Sequence, residues 1–258
     1  MTMPLRANRG AALALLVAGT AWLPACAGRV APRVAPSILP MTRIVFVGDS
    51  LVHRSASDYG MLDSVRDRLA ARFPFRSFEV LDAGVNGDRI ADIRQRLEED
   101  VVALHPDAVV LYWDSDVSDV DESDMTPDEV RRLRAAYERD VSAVLERLAA
   151  AGAYVVMSGP TLIGEQAHPR NGKDAQLDAY RDLNRRLAAA LKVRYIDTRR
   201  AFEARRPAES PATSDRGLLT EDGEHLNARG ASLAGAMFER SLAAWLRMQL
   251  SIDAGGLR

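Results

Sequence analysis

Cysteine is all but absent from this 258-residue chain: Cys26 is the only one, so no disulfide can form within it. Lysine is nearly as scarce. Lys173 and Lys192 are the only lysines among 34 cationic residues, and the rest are arginine, a bias that reads as genome composition, not function. Neither sign of charge dominates. Against 36 acidic residues the formal net charge is −2, which gives no electrostatic reason to expect a nucleic-acid partner. Long apolar runs are missing except near the N-terminus, where Ala11 to Leu23 is shorter than the roughly 20 residues a membrane-spanning helix needs. What remains, 47% hydrophobic and 27% charged residues, is ordinary for a globular protein, and the length suits one sizeable domain.

The N-terminus has the layout of an export signal. Arg6 and Arg9 precede the apolar run, and Leu23-Pro-Ala-Cys26 follows it. This resembles a bacterial lipobox, in which the cysteine is lipidated. Residues 1–26 are therefore expected to be a signal segment with Cys26 as the lipid attachment site, anchoring an exported protein in the cell envelope, periplasmic or outer-membrane. Pro24 is unusual within a lipobox. The competing reading is cleavage after the small-x-small stretch Ala25-Cys-Ala27, releasing the protein to the periplasm. Residues 27–40, with Pro32, Pro36 and Pro40, read as an extended tether. Residues 41–250 should form the folded domain, and 251–258 a flexible tail.

Within the domain, short β-branched runs alternate with helical periodicities. Strands are expected at Arg43 to Val47, Phe78 to Asp82, Ala108 to Trp113, Tyr154 to Met157 and Val193 to Asp197. Helices are expected over 60–72, 90–104, about 126–151, 175–191 and 227–248, with Val52 to Tyr59 left as a polar loop. Thr126-Pro-Asp-Glu129 is a helix start, with threonine as cap, proline in the first turn and glutamate three residues after the cap. Alternation of this kind implies crossover helices, a five-stranded parallel sheet and a three-layer α/β/α sandwich.

The chemistry-bearing residues lie at loop positions next to these elements. Ser50 follows the first strand in Gly48-Asp-Ser-Leu51, at the carboxyl edge where open α/β sheets bind ligands. Ser50 is a candidate nucleophile; its bland alternative is a helix cap. Near the C-terminus, Asp222-x-x-His225 places an acid and a histidine within one turn, a spacing at which the carboxylate can orient the imidazole while its other nitrogen takes a proton. The Gly-x-Ser-x-Gly elbow of α/β-hydrolases is absent, since position 52 is Val. His53, His105 and His168 lack such a pattern and read as loop residues. The acidic stretch Asp114 to Asp124 lacks the glycine and terminal glutamate of an EF-hand and reads as a solvated loop; no metal or cofactor is expected.

Taken in order, Gly48-Asp-Ser-Leu51, Gly84-Val-Asn-Gly87 and Asp222-x-x-His225 resemble the blocks of the SGNH (GDSL-type) hydrolases over nearly the whole domain. The resemblance implies a three-layer α/β/α fold and cofactor-free ester hydrolysis. It implies Ser50 as nucleophile, His225 as base, Asp222 as its orienting acid, and the backbone N–H groups of Ser50 and Gly87 as oxyanion donors.

The third block departs from the pattern. Trp113-Asp-Ser-Asp116 stands where the family has Gly-x-Asn-Asp, so Ser115 occupies the place of an oxyanion-donating Asn. Ser115 is accordingly a candidate third donor, with Asn86 as a substitute. Asn86, Trp113, Asp116 and Thr161 are candidate pocket residues, with core packing an equal reading of Trp113, and Glu165 and Arg170 are candidate substrate contacts. The expected activity is a monomeric serine esterase of the cell envelope, acting on lipid esters or on O-acetyl groups of polysaccharide. Acyl transfer by the same triad, and a non-catalytic envelope-binding protein on a degenerate fold, are the alternatives.

Overall fold

A computed structural model describes residues 39–166, 171–206 and 216–255. The expected signal segment with Cys26, most of the tether, His168 and Arg170 lie outside these residues. The described fold is an α/β/α sandwich around one sheet. Its strands are β1 (Met41–Gly48), β2 (Ser77–Gly84), β3 (Ala108–Tyr112), β4 (Tyr154–Ser158) and β5 (Arg194–Ile196), in the order β2-β1-β3-β4-β5. All pairings are parallel. Alternation within each strand splits the core in two. Ile44, Phe46, Val110 and Tyr112 face one apolar layer, and Val45, Val47, Val109 and Leu111 the other. The first layer is covered by α1 (Ser50–Ser57), α2 (Met61–Arg72), α7 (Thr198–Glu203) and α8 (Ala228–Gly255). The second is covered by α3 (Ile90–Asp100), α5 (Pro127–Ala150) and α6 (Asp174–Ala190).

The five strands and the long helices fall where the sequence pattern puts them. The start of α5 is the expected capping box, with Thr126 N–H donating to Glu129 Oε2 at 2.8 Å and Glu129 N–H returning to Thr126 Oγ1 at 3.4 Å. Three short helices depart from expectation. The segment read as a polar loop after Ser50 is α1, capped by Asp49, whose carboxylate accepts from Leu51 N–H, and seated by the buried Leu51 and Val52. Four residues, Ser115–Ser118, form α4 within the stretch expected to be a solvated loop, and Thr198–Glu203 form α7 directly after the fifth strand, where no helix is expected. The final helix also runs beyond Met248 to Gly255, into the expected tail.

A buried ion-pair cluster joins α6 to α7. Arg199 is fully enclosed and pairs with Asp174 at 2.9 Å, Asp178 at 2.7 Å and Glu203 at 2.9 Å. Enclosed charges of this kind persist only when several partners share the desolvation cost.

The order reverses between β1 and β3, so the crevice at their carboxyl ends is the topological switch point, the place where such sheets bind ligands. The approach of β1 to β3 is close there. A Cβ on Gly48 would lie 1.8 Å from the Tyr112 carbonyl oxygen, so only glycine fits at the end of β1.

Candidate active site

Ser50 stands at the first position of α1, two residues past that glycine. Its N–H has no acceptor within the helix. Asp49, not Ser50, provides the cap. The Asp49 carboxylate is fully buried and accepts Leu51 N–H on Oδ1 at 2.9 Å. On Oδ2 it accepts Asp114 N–H at 2.8 Å, Ser115 N–H at 2.8 Å and Ser115 Oγ–H at 2.7 Å. One side chain thus ties the nucleophile turn to the end of β3 across the switch point.

These bonds decide the role of Ser115. A serine hydroxyl has one proton, and here it goes to Asp49. Ser115 is therefore not an oxyanion donor, contrary to expectation; it is a strut beneath the site.

Asp114 lies beside this pair and is also buried, contrary to the reading of its segment as solvated. Thr161 Oγ1 donates to Asp114 Oδ2 at 2.9 Å, while Asp114 Oδ1 has no partner among the described residues. Burial, then the charges of Asp49 and Glu224, push the Asp114 carboxyl well above its ordinary value. Burial raises Asp49 too, but four hydrogen bonds oppose the rise. With four donors around Asp49 and so few around Asp114, Asp49 is the ionised member and Asp114 the protonated one. Thr161 is fully buried against Asp114 and forms no pocket wall, a second correction.

The turn carrying Gly87 leaves the sheet beside the carboxyl end of β1, because β2 pairs with β1 in register, Gly84 opposite Gly48, and Val85 N–H donates to Gly48 O at 3.0 Å. Asp88 N–H closes it onto Val85 O at 3.1 Å, with Gly87 at φ +80° in its third position. That conformation belongs to a type II turn and explains the glycine. The Gly87 N–H takes no part in closing the turn, and Asn86 beside it is exposed. Two side chains brace this turn. Arg96 bridges Asp88 Oδ2 at 2.5 Å and Gly48 O at 3.1 Å. Asp116 Oδ2 accepts Ile90 N–H at 2.8 Å and Trp113 Nε1–H at 2.9 Å. Asp116 is thus a brace, not a pocket residue. Burial lifts its carboxyl to about 6 against those two bonds. Trp113 is 2% exposed and stacks on Tyr137, so of its two readings core packing holds and the pocket wall does not.

His225 reaches Ser50 from the segment before α8. His225 Nε2 lies 3.1 Å from Ser50 Oγ, and His225 Nδ1 lies 2.7 Å from Asp222 Oδ2. Asp222 Oδ1 also accepts His225 N–H at 2.8 Å and Glu224 N–H at 3.1 Å. Burial raises the Asp222 carboxyl, but the His225 side chain and these two N–H groups outweigh it, and the carboxyl falls to about 2. It is ionised throughout the neutral range and fixes a proton on Nδ1, which leaves Nε2 free to accept the Ser50 proton.

Glu165, expected to touch substrate, instead holds the stem of this segment. Its carboxylate accepts Leu218 N–H at 2.8 Å, Leu219 N–H at 2.7 Å, Thr220 N–H at 2.6 Å and Thr220 Oγ1–H at 2.7 Å. A cleft of about 390 Å³ borders the Asp222–Glu224 turn, with Asp121, Ser123, Asn171 and Lys173 on its other walls. The larger groove of about 720 Å³ is at the opposite edge of the sheet, by His105, Tyr154 and Trp245, away from Ser50. His53, read as unpartnered, lies on α1 with Nδ1 3.1 Å from Asp82 Oδ2. Among the described residues no cluster of His, Cys, Asp and Glu could hold a metal ion.

A serine, a histidine and an acid in hydrogen-bonded sequence at a switch point are the parts of a serine hydrolase, and the sequence profile of the GDSL-like lipase/acylhydrolase family matches residues 46–233. The chain belongs to that family. It is a GDSL-type (SGNH) serine hydrolase acting on ester bonds. Among solved structures, this GDSL-type chain is similar to an acetyl xylan esterase, AlAXEase, at 28% identity and a TM-score of 0.68, covering 77% of this chain and 98% of that one. It has the fold of Axe2, an acetylxylan esterase from Geobacillus stearothermophilus, at 20% identity and a TM-score of 0.63, covering 78% and 94%. It also has the fold of LAE5, an α/β hydrolase from the metagenome of Lake Arreo, Spain, at 24% identity and a TM-score of 0.61, covering 76% and 93%. No curated protein is significantly similar to it in sequence.

Proposed function

We propose that this esterase removes short acyl groups, acetyl foremost, from carbohydrate in the cell envelope, through Ser50, His225 and Asp222 and an acyl-enzyme. The observation that carries the catalytic part is the 3.1 Å contact of His225 Nε2 with Ser50 Oγ, backed by the 2.7 Å bond to Asp222. Ser50 Oγ attacks the ester carbonyl carbon as its proton passes to His225 Nε2. The negative charge on the carbonyl oxygen is met by the N–H groups of Ser50 and Gly87. The tetrahedral adduct collapses, the carbon–oxygen bond breaks, and His225 returns the proton to the leaving alcohol. Water, deprotonated by His225, then attacks the acyl-Ser50 ester and releases the acid.

The likeness to an acetyl xylan esterase at 28% identity supports the acetyl substrate. So does the cleft beside the catalytic turn, whose Asp121, Ser123, Asn171 and Lys173 suit a hydroxyl-rich ligand better than a long acyl chain. Envelope placement rests on Arg6, Arg9, the apolar run to Leu23 and Cys26. The test of substrate class is acetate release from acetylated xylan, alongside p-nitrophenyl acetate, butyrate and octanoate. Preference for acetate supports the reading; preference for octanoate points to lipid esters. Transfer to an added alcohol in excess of hydrolysis points to an acyltransferase. Globomycin-sensitive processing lost in Cys26→Ser tests the anchor.

A further inference from the structure

Asp222 and His225 fix each other through the side-chain bond and the His225 N–H bond, both within one short turn. Those bonds do not fix the turn relative to Ser50. Its stem is held by Glu165, and Gly164 N–H donates to Gly223 O at 2.6 Å. Besides the His225–Ser50 contact itself, Arg54 ties the turn to the nucleophile's own helix. Arg54 stands four residues after Ser50 on α1, one turn along the same face. Its Nη2 donates to Glu221 Oε2 at 3.0 Å, and its Nη1 lies 3.8 Å from Asp222 Oδ2. Glu221 N–H in turn donates to His225 O at 2.8 Å. Asp58, a further turn along, lies 3.6 Å from Arg54 Nε and steadies the guanidinium.

We infer that Arg54 is a positioning residue, which docks the Asp222–His225 turn onto the helix that carries Ser50 and so sets the distance between base and nucleophile. This inference rests on the triad proposed above. The Arg54 and Glu221 side chains are 32% and 41% exposed, and ion pairs so placed add little to stability. The consequence of losing the pair is therefore kinetic, because a small displacement of a reacting group lowers the rate steeply.

The experiment compares Arg54→Ala, Arg54→Lys, Glu221→Gln and Ser50→Ala in the full chain, with Arg66→Ala, a surface arginine on α2, as control. For p-nitrophenyl acetate, Arg54→Ala should lower kcat about 10- to 100-fold with KM and Tm nearly unchanged. Arg54→Lys should recover part of the loss, and Glu221→Gln should fall between Arg54→Ala and wild type. An Arg54→Ala enzyme with wild-type kcat overturns the inference. So does a loss equal in Arg54→Ala and Arg54→Lys that follows a fall in Tm, the mark of a purely structural role. If Ser50→Ala is itself fully active, the triad fails and the inference with it. If Ser50→Ala is inactive and Arg54→Ala is unimpaired, the Arg54 inference alone fails.

Discussion

Ser115 gives its hydroxyl proton to Asp49 at 2.7 Å, and Ser115 N–H donates to the same oxygen. The residue standing where the family carries an oxyanion-donating side chain is thus turned toward Asp49, and in the proposed mechanism the oxyanion falls to the backbone N–H groups of Ser50 and Gly87. Ser115→Ala should therefore lower stability by about 1.5–3 kcal/mol, the value of a hydrogen bond to a charged acceptor. Its kcat should fall far less than the about 10²–10³-fold seen when an oxyanion donor is lost. A hundredfold drop in kcat at unchanged Tm would show the hydroxyl reaching the oxyanion after all.

Asp116 makes a pH-dependent contribution whose sign follows from its raised carboxyl. Its value is about 6 in the fold against an ordinary 3.8, with burial as the leading cause. Between those values the native state binds the proton that the unfolded state has released, so stability falls as pH rises through this window. Asp116→Asn keeps an oxygen acceptor for Ile90 N–H and Trp113 Nε1–H and removes the buried charge. It should stabilise the protein by on the order of 2 kcal/mol at pH 7.5, and the gain should vanish below about pH 4. Denaturant melts of both proteins at the two pH values check this; an equal difference at both contradicts it.

Asp222→Asn should leave the fold intact and lower kcat by about 10⁴, because an amide no longer fixes the histidine tautomer. The Asp222 carboxyl is held at about 2, so its own protonation does not shape the activity profile above pH 4. Steady-state kinetics with p-nitrophenyl acetate over pH 4–9 measure both points.

Glu165 gathers four donors from residues 218–220. Burial raises its carboxyl, but those donors outweigh it and hold the group below its ordinary value. The stability it adds is present above the ordinary glutamate range and is lost as pH falls through it. Glu165→Gln offers one acceptor oxygen where two served. It should lower Tm, lower kcat by loosening the stem of the catalytic turn, and reduce the acid sensitivity of unfolding. Melts at pH 4 and pH 7 with parallel kinetics test it; unchanged kcat would separate Glu165 from the site.

Much of this architecture is legible in the chain. The five strands show as β-branched runs, and α5 announces itself through Thr126 and Glu129. Asp222 and His225 are readable because three residues of separation already place them in one turn. The helix α1 is not, since its stretch His53-Arg-Ser-Ala-Ser57 carries no apolar stripe. It forms because Asp49 caps it and because Leu51 and Val52 are buried against the sheet. The roles of Ser115, Thr161 and Glu165 are hidden in the sequence for a shared reason. Their partners, Asp49, Asp114 and the 218–220 segment, are 47 to 66 residues away in sequence, and only the folded sheet brings them together. Arg96 gave no signal at all, being one arginine among many on an amphipathic helix.

In the proposed mechanism Ser50, activated by His225, is the nucleophile. A fluorophosphonate probe incubated with wild type, Ser50→Ala and His225→Ala measures it directly, with the labelled peptide identified by mass spectrometry. The predicted result is stoichiometric labelling at Ser50 in wild type, none in Ser50→Ala, and labelling slowed by orders of magnitude in His225→Ala. Equal labelling of wild type and Ser50→Ala, or hydrolysis of p-nitrophenyl acetate by Ser50→Ala at the wild-type rate, would contradict it.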